Sequence, residues 1–191
     1  MEFILASGNA HKAEEFGKAL VDSSFTITAP SSQIDVIEDG LSFQENALKK
    51  ASAYFSRFKK PVMSDDSGIV VAAIPTELGI HSARFGGESL TDKERALKLL
   101  SKMEGAQDRS AYFICLLCFY VDSENIFFFE GRLSGLISES YDGETGFGYD
   151  PIFLGEGQNR SIASMPEWKF ENSHRMKALA SAKRFFEDRK S

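Results

Sequence analysis

Four strings in the sequence combine residue types that can handle phosphate, metal and proton chemistry. The first is Ser7-Gly8-Asn9-Ala10-His11-Lys12. Gly8 lets the backbone approach a ligand, Ser7 and Asn9 bring donors, and Lys12 brings a point charge, a composition suited to cradling phosphate. It lacks the spacing of a Walker loop, and a capped turn with a solvated lysine is the plain alternative. The second is acidic: Glu38-Asp39 ahead of one helix, and Asp65-Asp66 followed by Ser67-Gly68. Adjacent carboxylates raise each other's pKa unless a cation neutralises them. Hard carboxylate oxygens suit Mg²⁺, which binds through one or two carboxylates together with substrate phosphates and waters. Read as a strand end before a glycine turn, Asp65-Asp66 would lie where open α/β sheets hold ligands, with a solvated turn as the rival reading. The third string, Gly146-Phe147-Gly148-Tyr149-Asp150-Pro151, flanks a ring with glycines. It could stack on a nucleobase, or it could be a tight turn with Phe147 and Tyr149 in the core. The fourth is Ser173-His174-Arg175, with Lys169 upstream. Cations at a helix N-terminus oppose the macrodipole, so ligand contact explains them better than helix stability does.

The elements that must position these strings follow from hydrophobic periodicity. Phe3-Ile4-Leu5 reads as a short buried strand running into the Ser7-Gly8-Asn9 turn, then a helix with Ala13, Phe16 and Leu20 inward. Ser42 to Glu45 has the form of a capping box. It opens a helix with Phe43, Ala47, Ala51, Tyr54, Phe55 and Phe58 inward, ended by Pro61. Val62-Met63 reads as a short strand before the Ser64-to-Gly68 turn, with Ile69-Val70-Val71 extended after it. Thr91 to Glu94 is a second capping box, with Leu97, Leu100 and Met103 inward. Ala111 to Val121 and Ile126 to Ile137 form two strands of a hairpin through residues 122–125. Gly143 to Gly148 is loop, and Ser173 to Arg189 is a helix with Met176, Leu179, Ala180, Ala182, Phe185 and Phe186 inward. Interleaved helices and strands with a long antiparallel pair predict an α/β domain on a mixed sheet.

Composition narrows the function classes. With 191 residues and 21.2 kDa the chain suits one sizeable domain, 1–191, with room for two lobes, and is too short for two ordinary domains with separate cores. The net charge of −6 argues against a non-specific nucleic-acid binder. A small polyanion would still need a local basic cluster or a metal ion. No apolar run approaches the ~20 residues that span a bilayer. The N-terminus lacks the basic n-region of a secretory signal. Cys115 and Cys118 form a C-x-x-C, but strand geometry points i and i+3 to opposite faces. They are therefore expected as buried structural cysteines, in keeping with a reducing cytoplasm.

In this order and at these separations, the strings resemble the Ham1-like inosine triphosphate pyrophosphatase family, from Ile4 to about Phe186. The matching residues are Ser7 to Glu15, Glu38 to Ala47 with Lys50-Ala51, Ser64 to Gly68, Ser82-Ala83-Arg84-Phe85, Gly146 to Phe153 and Ser173-His174-Arg175. The resemblance implies an elongated α/β domain of two lobes around a long twisted mixed sheet, with the active-site cleft between the lobes. It also implies a homodimer. The implied reaction is Mg²⁺-dependent hydrolysis of non-canonical purine triphosphates (ITP, dITP, XTP) between the α- and β-phosphates.

Carried over by residue, Ser7, Gly8, Asn9, Ala10, His11 and Lys12 would hold phosphates, and Lys50 would join them. Glu38 and Asp66 would hold the metal. Asp66 would be the catalytic carboxylate, with Asp65 the other candidate base, and Ser67 would touch substrate. Phe147, Gly148, Tyr149 and Asp150 would form the base and sugar pocket, closed by Lys169, His174 and Arg175. Family members usually carry Glu-Leu six residues before the pocket lysine, Asn directly after it, and Asn in place of Arg95. Here Ala163-Ser164, Phe170 and Arg95 stand there, which bears on the shape of the base pocket. Two rival readings are a Maf-like pyrophosphatase of other base specificity and a non-catalytic nucleotide-binding module. The intact Glu38, Asp65 and Asp66 argue against the second.

Overall fold

A computed structural model describes residues 1–21 and 23–189. Among the described residues, six strands form one mixed sheet in the order β2-β1-β3-β4-β5-β6. They are β1 Glu2–Ala6, β2 Thr26–Thr28, β3 Val62–Val71, β4 Ser110–Tyr120, β5 Ile126–Ile137 and β6 Phe153–Gly155. β1 lies parallel to both β2 and β3, and β5 lies antiparallel to β6. The described residues also form five α-helices: α1 Ala10–Ala19, α2 Phe43–Phe58, α3 Asp92–Lys102, α4 Pro166–Asn172 and α5 His174–Asp188.

The chain divides into two compact units. The first comprises Met1–Asp66, Cys115–Gly131 and the chain from Arg175 on, and the second comprises Ser67–Ile114 and Arg132–His174. In the first unit the alternation of strand residues builds two cores. Phe3 and Leu5 of β1, Met63 of β3 and Cys115, Leu117 and Phe119 of β4 pack with Phe16 of α1 and Leu179, Ala182 and Phe186 of α5. Ile4, Ala6, Val62 and Cys118 pack with Ala47, Ala51 and Tyr54 of α2. Period-two geometry forces this split, and it places the two cysteines in different cores. Rings of Phe3, Phe25 and Phe119 meet edge to face at 5.0 to 5.7 Å. The second unit has its own core of Ile69, Val71, Phe85, Ala96, Leu99, Met103, Phe113, Tyr149, Ile152 and Phe153, among others.

Four local expectations are corrected. β3 runs unbroken from Val62 to Val71, so Asp65-Asp66-Ser67-Gly68 is strand interior and not a turn. Thr91 and Glu94 form the expected reciprocal box on α3. On α2, however, Ser42 accepts from the Glu45 N–H while the Glu45 carboxylate returns to the Leu41 N–H rather than to its cap. The buried face of α3 is Ala96, Leu99 and Met103, leaving Leu97 exposed, and Ala180 of α5 is exposed too. Among the described residues no helix is long and apolar enough to cross a membrane.

Candidate active site

In the first unit, β1 delivers the chain to Ser7-Gly8-Asn9 and α1 follows at once. Asn9 is the N-cap. Its side-chain oxygen accepts from the N–H groups of His11, at 2.9 Å, and Lys12, at 3.2 Å. The Asn9 N–H donates to Ser7 Oγ at 3.2 Å. Two of the helix's N-terminal donors are therefore satisfied by its own cap, and the Lys12 ammonium is the feature this turn contributes most directly. Gly8, Ala10 and His11 are exposed beside it. Ser7, Gly8, Asn9, Lys12, Gln33, Tyr54, Glu38 and Lys50 share in lining a cavity of about 430 Å³.

Because β3 is continuous, its neighbours Asp65 and Asp66 face opposite sides of the sheet. Asp65 faces α1 and α5. Its Oδ2 lies 2.8 Å from Lys12 Nζ and 4.0 Å from Arg175 Nε, and Arg175 also pairs with Glu15. Asp66 faces α2. Its Oδ1 lies 3.9 Å from Lys50 Nζ, which bonds Glu38 Oε2 at 2.7 Å. Asn46 hydrogen-bonds Asp66, and its Oδ1 accepts the Gly40 N–H at 2.8 Å.

The two aspartates are consequently tuned in opposite directions. Burial would raise the Asp65 carboxyl, but Lys12, Arg175 and Lys50 outweigh it and hold the group well below the usual carboxylate range. Burial also raises Asp66. Lys50 opposes the rise, Glu38 and Asp65 add to it, and the group ends at about 6. Burial would lower Lys50, but the three carboxylates around it keep it firmly charged.

Could this cluster hold a divalent cation? Four carboxylates (Glu15, Glu38, Asp65, Asp66) meet three cations (Lys12, Lys50, Arg175). The surplus negative charge collects at Glu38 and Asp66, and the proton affinity of Asp66 is raised. Two hard carboxylates beside a phosphate-suited loop match the preference of Mg²⁺ for one or two carboxylates completed by phosphates and waters. Among the described residues there is no cluster of three or more His, Cys, Asp or Glu of the kind an all-protein cage would need.

The second unit gathers another set. Gly146 and Gly148 have φ of 80° and 62°, a conformation that favours glycine. Asp150 Oδ2 accepts the Phe147 N–H at 2.9 Å and lies 2.8 Å from Lys169 Nζ, whose ammonium sits 4.7 Å from the Phe147 ring centroid. A side chain at Gly146 would strike the Asp150 carboxylate. The Gly148 N–H donates to Asp92 at 2.8 Å. Tyr149 is core: it is buried, and its hydroxyl donates to the Ser82 carbonyl at 2.7 Å. Phe147 is half-buried, and His174 stacks on Phe113 at 4.9 Å. Ser67 lies half-buried on β3.

A model of the Ham1 family matches residues 3–185. The chain belongs to the Ham1 family. Relatives bearing the name dITP/XTP pyrophosphatase include one from Leptospira interrogans, 42% identical over 96% of both chains, and one from Aquifex aeolicus, 39% identical over 94% of this chain and 93% of that one. Among solved structures, the Ham1 protein of Staphylococcus aureus matches with a TM-score of 0.88 at 35% identity, covering 99% of this chain and all of that one. A Ham1 protein from Coxiella burnetii matches with a TM-score of 0.90 at 33% identity, covering 98% and 99%.

Within this Ham1 chain the sequence departures have visible local reasons. Arg95 is buried and donates to the carbonyls of Phe85, Gly87 and Leu90 at 2.5 to 3.0 Å, tying down the loop after Arg84. Ala163 is small enough to pack against Gly143, and Ser164 donates to the Asp142 carboxylate at 2.8 Å. Phe170 is exposed. Of the residues expected to close on a base, Arg175 is 1% exposed, paired with Glu15 and 4.0 Å from Asp65, and Lys169 is paired with Asp150 and stands over the Phe147 ring. Sequence reasoning assigned no role to Asn46, Glu15 or Tyr54, although all three are polar residues on inward helical positions. Tyr54 accepts the Ile34 N–H at 3.1 Å and donates to Gln33 at 2.7 Å, fixing the start of the segment that carries Glu38.

Proposed function

We propose that this chain hydrolyses non-canonical purine nucleoside triphosphates (dITP, ITP and XTP) between the α- and β-phosphates, giving the monophosphate and pyrophosphate. The names of its full-length relatives support the substrate class. The observation that carries the chemistry is the pairing of Glu38 and Asp66 across Lys50, at 2.7 and 3.9 Å, with Glu38 and Lys50 in the wall of the cavity lined by the Ser7-to-Lys12 turn. Lys12 and Lys50 attract and orient the polyphosphate. Glu38 and Asp66 would hold Mg²⁺, which when bound supplies charge neutralisation at phosphate oxygens and a more acidic water. Asp66, at about 6, has the proton affinity of a general base working near neutral pH and accepts the proton of the attacking water. Asp65, held ionised by its cations, is a poor proton acceptor and serves as a fixed charge. On the second unit, Phe147 offers a partly open ring for stacking beside the Asp150–Lys169 pair. We further propose a cytoplasmic homodimer acting on the free nucleotide pool.

Product identity tests the reading. Incubated with dITP and Mg²⁺, the protein should release dIMP and pyrophosphate, resolved by anion-exchange chromatography. Release of dIDP and orthophosphate from the purified enzyme would rule out cleavage at the α–β bridge.

A further inference from the structure

Glu15 lies on α1 three positions after Lys12, so both side chains rise from one helical face. With Arg175 and Asp65 they form a run of alternating charge. Glu15 pairs with Arg175 Nη1, Arg175 Nε lies 4.0 Å from Asp65 Oδ2, and the same Oδ2 lies 2.8 Å from Lys12 Nζ. Arg175 and Asp65 are buried, and of the four only Lys12 lines the cavity.

A buried guanidinium needs a counter-charge within hydrogen-bonding distance. Glu15 meets that need, while Asp65 stands beyond it and gives its oxygen to Lys12. We propose that Glu15 is a positioning residue for polyphosphate binding: by holding Arg175 it keeps Asp65 Oδ2 for Lys12, and so fixes the Lys12 ammonium at the cavity wall. Without the Glu15 charge, Arg175 would draw Asp65 across the 4.0 Å gap. Closing that gap would carry Oδ2 off its 2.8 Å contact with Lys12 Nζ, and Lys12 would lose its anchor. The inference rests on reading the cavity as the phosphate site.

The test is a double-mutant cycle on the full chain. The four proteins are wild type, Glu15→Gln, Lys12→Met and the double variant, titrated calorimetrically with inorganic tripolyphosphate and assayed on dITP. Glu15→Gln should weaken tripolyphosphate binding by about tenfold and change nothing further once Lys12 is gone, because the two sites are coupled. On dITP the loss should fall mainly in KM. Should Glu15→Gln fold poorly by thermal melting, Glu15→Asp, which keeps the charge, carries the same comparison with a smaller loss expected. Wild-type binding by the folded variant, or an equal loss with and without Lys12, overturns the positioning role. Failure of the wild type to bind tripolyphosphate is a different result: it removes the phosphate reading of the cavity, and this inference with it.

Discussion

Asp65 and Asp66 share a peptide bond and differ in proton affinity because each meets different cations. Asp66→Asn keeps the shape of the side chain and removes the proton acceptor, so kcat should fall by about two orders of magnitude or more, read by steady-state assay with dITP. The same change should stabilise the metal-free protein. A carboxyl with a folded pKa of about 6 and an unfolded value of about 3.9 binds more protons folded than unfolded between those limits. Stability therefore falls as pH rises through that window and stays reduced above it. At pH 8 in chelator, Asp66→Asn should unfold with about 2 kcal/mol more stability than wild type by urea titration, and the gain should vanish towards pH 4. A gain that persists at pH 4 would mean that the burial of charge is not its source. Arg175→Ala makes the opposite case. It leaves Asp65 and Glu15 short of a buried partner and should cost about 3–5 kcal/mol in the same titration. At this scale the sequence made the residue types legible but not their partners. Arg175 and Asp65 stand far apart along the chain, and their pairing belongs to the tertiary structure.

Elements decide which way each residue looks. β3 was misread at Ser67-Gly68 because a serine and a glycine after two aspartates are turn residues by local preference. The sheet overrides that preference by burying Ile69 and Val71 in one core and Val62 and Met63 in two others. The helices were more legible, since their caps and apolar spacing are local signals. The exception was the fit around α2. Gly40 leaves no room for a methyl group: an added Cβ would stand 2.6 Å from Asn46 Oδ1 and 2.8 Å from Glu45 Cβ. Gly40→Ala should push Asn46 from Asp66 and lower kcat on the order of tenfold or more, as small misplacements of reacting groups do. Ser42→Ala is the control on the same helix end. It loses the cap bond to the Glu45 N–H and should cost about 1 kcal/mol in stability with little change in kcat. Equal kinetic damage from both would mean that fraying of α2, not the Gly40 contact, controls the site.

For the molecule as a whole, the net charge of −6 coexists with a local set of cations, the set proposed above to admit a polyanion. The mixed α/β sheet was legible from alternating apolar runs, whereas β2, β6 and α4 are too short to leave a periodic signal. The expected homodimer is open to light scattering at micromolar concentration, where a mass near twice 21.2 kDa is anticipated and a value near 21.2 kDa throughout would refute it. The two compact units are threaded by one chain that passes between them at residues 66–67, 114–115, 131–132 and 174–175, each passage lying within β3, β4, β5 or α5. Neither unit is therefore a contiguous stretch of gene. A single recombination crossover between relatives would exchange fragments of both units, and each core would inherit side chains from two parents. A block exchange that keeps either core intact needs four matched breakpoints, all inside regular secondary structure. Diversification of this fold is thus expected to proceed by point substitution and by change in loops such as residues 122–125, not by shuffling of its halves.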